Sequence, residues 1–485
     1  MRSKDNNECG VLLHIPSLPG KYGIGTLGEQ AHRFAEFLGK NGQKYWQLLP
    51  LVPLGEGNSP YKSTSCFAGE ILYIDSELLV RDGLLYENEL PGRVPSGKVD
   101  YSEVRKAMLP LLELAVSRFK KDDRRYRAFL KASKGWLEDY ALFEVLRSEY
   151  GETLDRFPEE LRFRQPAALE AFSLTHRRQL EFHYITQYLF YSQYSQLRET
   201  ASRHGVRIIG DIPFYVALDS ADVWTSPDCF RLGRDMTPVR VAGVPPDIFS
   251  DTGQLWGNPV YDWDYQRKTA YAWWKKRLKF CSEIYDVLRI DHFRAFSSYY
   301  SVPFGAADAR AGVWEPGPGL GFWRSVEAEC RGMGIIAEDL GGEEPDVEQL
   351  VLQTGFPNMK VLQFGFSTDT QNRFYPKNYG KNCVCYTGTH DNETALGWYQ
   401  NASIREQVFF SRTAPCEGEN PALRMIALAM RSKAGLVIIP MQDWLCLDNS
   451  ARMNTPGTLG GNWEWQMADD TDFSALGKLM RRYGR

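Results

Sequence analysis

The chain predicts an α/β protein, a (β/α)8 TIM barrel with inserted subdomains after strands 2 and 3, and three observations carry that prediction. Short apolar, β-branched runs recur eight times along 485 residues. Helix-length or longer segments separate them. Four of the runs carry an acid at or near the C-terminal end. Runs of this kind suit parallel strands buried on both faces, and eight of them alternating with helices read as a closed barrel rather than an open sheet.

In order the runs are CGVLLHIP (9–16), YWQLLP (45–50), VRIIGDIP (206–213), DVLRIDHF (286–293), GIIAEDLG (334–341), MKVLQFGF (359–366), CVCYTGTHD (383–391) and LVIIPMQD (436–443). Between the first two, Thr26 and Glu29 give a capping-box pattern. Ala31, Phe34, Ala35 and Leu38 follow at helical spacing, and Gly39 and Gly42 are expected to stop the helix. Two connectors are too long for one helix: residues 55–200 and 214–285 are read as subdomains inserted in a single barrel spanning 1–485. YAWWKKRLKF (271–280) is read as an amphipathic helix on the barrel exterior.

Lys and Arg number 57 against 61 Asp and Glu, a net charge of −4, so neither nucleic acid nor an anionic membrane is an expected partner. No apolar run approaches the ~18 residues of a membrane-spanning helix. The N-terminal MRSKDNNECG lacks the apolar core of a signal peptide. Nine scattered cysteines without a CxxC pair read as thiols in a reducing compartment, and a cytoplasmic location is expected.

The acids are Asp211, Asp291, Glu338 with Asp339, and Asp391. Charge at the end of a buried strand is expensive unless it is paired or used. Alternation puts Val287, Arg289 and Asp291 on one face, groups Ile336 with Glu338, and groups Thr389 with Asp391. The acids can therefore meet at the C-terminal mouth of a barrel. Arg289 would keep Asp291 ionised, while a second acid, protonated because of burial and nearby negative charge, can donate to a leaving-group oxygen. Retaining glycoside cleavage needs those two roles, with carboxyls about 5–5.5 Å apart, and a third carboxylate can bind sugar hydroxyls. Asp339 faces away from Glu338 and is read as structural. His292 and His390 lie near the acids, but HExxH, paired-Cys, EF-hand, Walker A, GxGxxG and GxSxG patterns are all missing, and no metal is expected.

Sugars stack on aromatic faces and bind planar polar groups. Loops with such residues follow strand ends: GEGNSPYKSTSCF (55–67), DIFSDTGQLWGNPVYDWDY (247–265) and MNTPGTLGGNWEW (453–465). Tyr61, Trp256, Asn258, Asn462 and Trp463 are the candidates; position favours Tyr61 and Trp256, and the others serve equally well as core or turn residues.

The segments SLPGKYGIGTLG (17–28), SPYKSTSCFAG (59–69), GDIPFYVALDSADVW (210–224), AGVPPDIFSDTGQLWGNPVYDW (242–263), LRIDHFRAF (288–296), AEDLG (337–341), GTHDNET (388–394), and NTPGT with GNW (454–463) resemble those of the 4-α-glucanotransferases (amylomaltases, or disproportionating enzymes) of glycoside hydrolase family 77. They occur in family order over nearly the whole chain. The resemblance implies transfer of a segment of an α-1,4-glucan to the 4-hydroxyl of glucose or another malto-oligosaccharide by a retaining double displacement. It also implies that no organic cofactor is needed and that the C-terminal β-domain of many amylases is missing. It makes Asp291 the nucleophile, Glu338 the general acid/base and Asp391 the transition-state stabiliser. Arg289, His390 and Asp211 would line the central sugar subsite, and Ser59, Tyr61, Asp247, Gln254, Trp256 and Asn462 would contribute to donor and acceptor binding. Two positions depart from the family pattern: Glu70-Ile71 stands where Asn-Pro is common, and Thr26 where Asp is usual. The residue chemistry alone leaves open a retaining α-glucan hydrolase using the same carboxylates, or a non-catalytic glucan-binding protein.

Overall fold

The computed structural model describes residues 8–246, 250–341, 344–367, 369–416 and 418–484. Numbered in chain order, eight of its strands are β1 (Glu8–Leu12), β2 (Tyr45–Gln47), β3 (Arg207–Ile212), β6 (Val287–Ile290), β9 (Gly334–Ala337), β10 (Asn358–Val361), β11 (Cys383–Tyr386) and β12 (Leu436–Pro440). They close into a parallel barrel in the order β1-β12-β11-β10-β9-β6-β3-β2. Every one of the eight runs read from the sequence supplies one barrel strand. Among the described residues no sheet strand follows β12, and the last helix is Phe473–Tyr483.

The first crossover shows how the local chemistry works. Ala31, Phe34, Ala35 and Leu38 are buried along the helix Glu29–Lys40, and each large apolar side chain so buried stabilises the barrel by about 1.5–3 kcal/mol. The capping differs from expectation. Gly28 is the N-cap, and the Thr26 hydroxyl instead donates to Asp75 Oδ2 at 2.6 Å. Asp75 in turn caps the helix Ser76–Arg81 through Leu78 N at 2.8 Å. Gly39 does not stop the helix either; it lies inside it, where a Cβ would sit 2.3 Å from the His204 carbonyl oxygen. The stop falls at Asn41 and Gly42, the latter at φ +77°.

Between β2 and β3 the chain builds a helical excursion that includes Tyr101–Arg118, Arg124–Ser133, Leu137–Tyr150 and Pro166–Thr175. It returns through the helix Arg177–Arg203, which packs along Glu29–Lys40 as the second barrel helix. Its opening loop explains one departure from the family pattern. Glu70 is buried, with Leu54 N and Leu72 N donating to its carboxylate at 2.8 and 3.0 Å. A second sheet of four antiparallel strands contains β4 (Arg240–Val244), β5 (Gln254–Pro259), β7 (Ser298–Pro303) and β8 (Val313–Pro316), ordered β5-β4-β7-β8. Its first pair comes from the connector between β3 and β6, and its second pair from the connector between β6 and β9. Helix Ala272–Ile284 closes the third crossover. It is less exposed than its amphipathic pattern suggests, because Trp274 and Arg277 are fully buried, and Arg277 donates to the carbonyls of Pro213 and Phe214. No described helix is long and apolar enough to cross a membrane.

One buried acid makes a stability prediction. Asp443 accepts from Thr387 Oγ1 at 2.5 Å and from Ala395 N at 2.7 Å, and burial pushes its carboxyl up to about 6 from 3.8. The folded state therefore binds this proton more tightly than the unfolded chain does. The stability it confers is complete below the unfolded value and is lost as pH rises through about 6. Asp443→Asn removes the charge, and between about pH 5 and 8 it should gain about 1–3 kcal/mol relative to the parent. Thermal melts at both pH values check this; a constant offset between the two proteins would remove Asp443 from the account.

Candidate active site

Strand order brings the acids together. β3, β6 and β9 are neighbours, and the β3–β6 register sets Asp211 directly opposite Arg289. Asp211 is the penultimate residue of β3, while Asp291 and Glu338 each follow the last residue of β6 and β9. Their side chains thus project from one end of the barrel, the C-terminal mouth.

Arg289 is the hub. Its Nη1 donates to both oxygens of Asp211 at 2.8 and 2.6 Å, and its Nη2 donates to Asp291 Oδ1 at 3.0 Å. The side chains of Arg289 and Asp211 are 3% and 0% exposed, whereas Asp291 is 29% exposed. The buried ion pair is structural support, and the open carboxylate is the one a ligand can reach. Tyr61 closes the Asp211 side, its hydroxyl donating to Asp211 Oδ2 at 2.9 Å. Burial and the Asp211 charge push the Tyr61 phenol up, so it stays a neutral donor.

Glu338 is fixed by backbone. Its Oε2 accepts from His292 N at 2.6 Å, and its Oε1 accepts from Leu340 N at 2.8 Å. The residue after Asp291 therefore anchors the carboxyl of Glu338. His292 adopts the left-handed conformation, φ 52°, to aim that N–H, a strained geometry of the kind concentrated at functional sites. Each Glu338 oxygen keeps a second lone pair, so the carboxyl holds this orientation whether or not it carries a proton.

Both carboxyls lie above the ordinary range. Burial raises each, and Glu338 adds to the rise at Asp291 while Arg289 opposes it at both. The pair therefore keeps a proton at a pH where isolated carboxyls have lost theirs. Arg289 touches Asp291 directly, which favours charge on that carboxyl, while the two backbone N–H groups on Glu338 oppose the rise that burial causes there.

Asp391 arrives differently. β11 ends at Tyr386, and Asp391 lies beyond it in a turn where Thr389 Oγ1 accepts from Asp391 N at 3.3 Å. The expected strand alternation of Thr389 and Asp391 gives way to this turn, because the Asn392 side chain accepts from both Thr389 N and Thr389 Oγ1 at 2.8 Å. His390 Nε2 lies 3.4 Å from Asp391 Oδ2, and its ring stacks on Tyr61 at 5.1 Å and 14°. Burial pushes the His390 imidazole down, so it is neutral near pH 7.

The remaining candidates divide. Trp256 sits against the site, its ring meeting that of His292 edge to face at 4.9 Å and its Nε1 donating to Gln254 Oε1 at 3.1 Å. Both residues lie in β5 rather than in a loose loop, since residues 254–259 pair with β4. Asn258 donates to the Val216 carbonyl at 2.8 Å. Ser59 shapes the turn that presents Tyr61, its Oγ accepting from Tyr61 N at 3.2 Å. The Asn462 amide is engaged by its own loop, accepting from Thr455 N at 2.9 Å and donating to Thr458 at 3.1 Å. Asp247 lies outside the described residues. Asp339 accepts from Met359 N at 3.1 Å and Asn358 Nδ2 at 3.2 Å, a strand-tying role. Among the described residues no group of three or more metal-ligating side chains converges.

A profile described as 4-alpha-glucanotransferase, of glycoside hydrolase family 77, matches residues 13–471. The chain belongs to the 4-α-glucanotransferase family. The 4-α-glucanotransferase of Clostridium butyricum is 40% identical over 488 residues, spanning 98% of this chain and 100% of that protein. The 4-α-glucanotransferase of Thermus thermophilus is 42% identical, spanning 94% of each chain. The structure of amylomaltase from Streptococcus agalactiae in complex with acarbose matches with a TM-score of 0.95 at 37% identity, over 99% of both chains.

Within this 4-α-glucanotransferase framework, His292 plays a part the sequence did not specify, and two further neighbours of the acids, Arg452 and Asn454, escaped the site reading from sequence. His292 serves through its backbone N–H and its ring, and burial holds its imidazole down at about 3. Arg452 and Asn454 reach Asp391 from the loop after β12. His292 and Asn454 fall in the segments RIDHF and MNTPGT, which say nothing of direction, and Arg452 precedes the second with no signal of its own.

Proposed function

We propose that the chain disproportionates α-1,4-glucans, with Asp291 as nucleophile, Glu338 as general acid/base and Asp391 as stabiliser of the transition state. One observation carries this reading. Asp291 is partly exposed and paired to Arg289, while Glu338 is anchored on the residue next to it. That pairing matches a charged and a protonated carboxyl flanking one anomeric carbon.

In the first step an Asp291 oxygen bonds to C1 of the donor as the C1–O4 bond breaks. The Glu338 proton goes to the departing O4. In the second step the 4-hydroxyl of glucose or a malto-oligosaccharide attacks C1, its proton passes to Glu338, and Asp291 leaves. Two inversions restore the α configuration. Asp391 and His390 are placed to bind hydroxyls of the same sugar more strongly as charge develops at C1, while Asp211, fully buried under Arg289 and Tyr61, holds Arg289 in place rather than lining the sugar subsite. Trp256 and the β5 strand that carries it favour an acceptor sugar over water at the covalent intermediate.

Maltotriose digests sampled over time test the reaction. Glucose together with maltopentaose and longer chains is the expected product set. Shortening without elongation would reject transfer and leave a hydrolase with the same carboxylates.

A further inference from the structure

Asp391 stands apart from the other two acids in lacking support from its own strand. It lies in a turn, its side chain is 41% exposed, and among the described residues no backbone N–H donates to its oxygens in the way His292 and Leu340 donate to Glu338. A carboxylate that must present one oxygen to a sugar needs something to hold the other. The loop after β12 supplies it.

Asn454 Nδ2 donates to Asp391 Oδ1 at 2.6 Å, and Asn454 N donates to the His390 carbonyl at 3.0 Å. Arg452 Nη2 donates to the Asp391 carbonyl at 2.6 Å, and Arg452 Nε donates to the Asn454 carbonyl at 2.8 Å. Residues 452 and 454 thus grip both the backbone and the side chain of the His390–Asp391 pair while bracing each other. The loop is itself anchored: Trp463 N donates to the Met453 carbonyl at 2.7 Å, the Trp463 ring packs beside Tyr61 and His390, and Tyr101 of the helical excursion donates to the Trp463 carbonyl at 3.0 Å.

We infer that Asn454, braced by Arg452, is a positioning residue for the transfer reaction: it fixes Asp391 Oδ1 so that the rest of that carboxylate is presented to the reacting sugar. The inference rests on the role proposed for Asp391. Charged and titratable groups facing Asp391 come from every side: His390 on its own turn, Tyr61 from the loop after β2, Asp291 from the end of β6, and Arg452.

The test is a set of variants assayed on maltotriose with thermal melts alongside. Asn454→Ala should lower kcat about 10- to 100-fold with KM within about threefold, since a reacting group misplaced by about 1 Å costs on that order. Asn454→Asp places a second carboxyl at hydrogen-bond distance; the two cannot both ionise, and the shared proton restores a donor as pH falls. Its kcat relative to Asn454→Ala should therefore climb between about pH 8 and 5, a trend that general loosening of the fold would not produce. In an Asp391→Asn background Asn454→Ala should add no further loss. Asn454→Ala with the parent's kcat, or Asn454→Asp tracking Asn454→Ala at every pH, would overturn the inference while an inactive Asp391→Asn leaves the reading of Asp391 standing. An Asp391→Asn protein as fast as the parent would overturn both.

Discussion

Asp291→Asn should end transfer, with kcat on maltotriose falling by about four orders of magnitude or more and malto-oligosaccharide binding retained. The amide is isosteric with the carboxylate, so the barrel mouth keeps its shape, and Asn Oδ1 can still accept from Arg289 Nη2, now 3.0 Å from Asp291 Oδ1. What is lost is the only carboxylate that sits both partly exposed and beside a cation at the ends of β3, β6 and β9 among the described residues. Initial rates give kcat, and calorimetric titration with maltohexaose gives binding. A variant within tenfold of the parent would take the nucleophile's role away from Asp291.

Glu338→Gln separates acid from base. On maltotriose, whose leaving group needs a proton, the loss should be about 10²- to 10⁴-fold, the range of general acid catalysis. On α-maltosyl fluoride, fluoride departs without protonation, so the first step should be nearly intact. The second step still lacks its base, and the glycosyl-enzyme should accumulate on Asp291, visible as a mass increment in the intact protein. Equal losses on the two substrates, with no adduct, would exclude Glu338 as the proton donor. Gln can still accept at one oxygen, from His292 N or Leu340 N, which now hold the carboxyl at 2.6 and 2.8 Å. Its NH2 meets the other N–H, so a modest loss of order at this side chain is part of the expected result.

The strands were legible because their cause is local. IIG in β3, GIIA in β9 and VII in β12 are continuous apolar runs, and VLRI in β6 is one interrupted only by Arg289; such runs are stable only when both faces are covered. The acids at or near the C-terminal ends of four runs, Asp211, Asp291, Glu338 and Asp391, then announced the mouth. The second sheet was harder to read. β7 and β8 hold SYYSVP and VWEP; β7 pairs with β4 across the β6 motif and β8 with β7, and nothing in those six- and four-residue stretches names a partner. The capping of the first helix misled for a related reason. Thr26 has the right spacing to cap it, but Asp75 is close enough in the fold to take its hydroxyl.

By itself the sequence determined which segments become barrel strands, that acids stand at their ends, and which family motifs they belong to, because β-branched runs, strand periodicity and motif order are properties of residues close along the chain. Only the tertiary structure decided how those acids are held: Arg289 shared between Asp211 and Asp291, Glu338 on the backbone of His292, and Asp391 on Asn454. Three of these four contacts join residues 46 to 78 positions apart. Hydrogen bonds act only over about 3 Å, so such partners are set by barrel register and by where each loop returns, which no local pattern encodes.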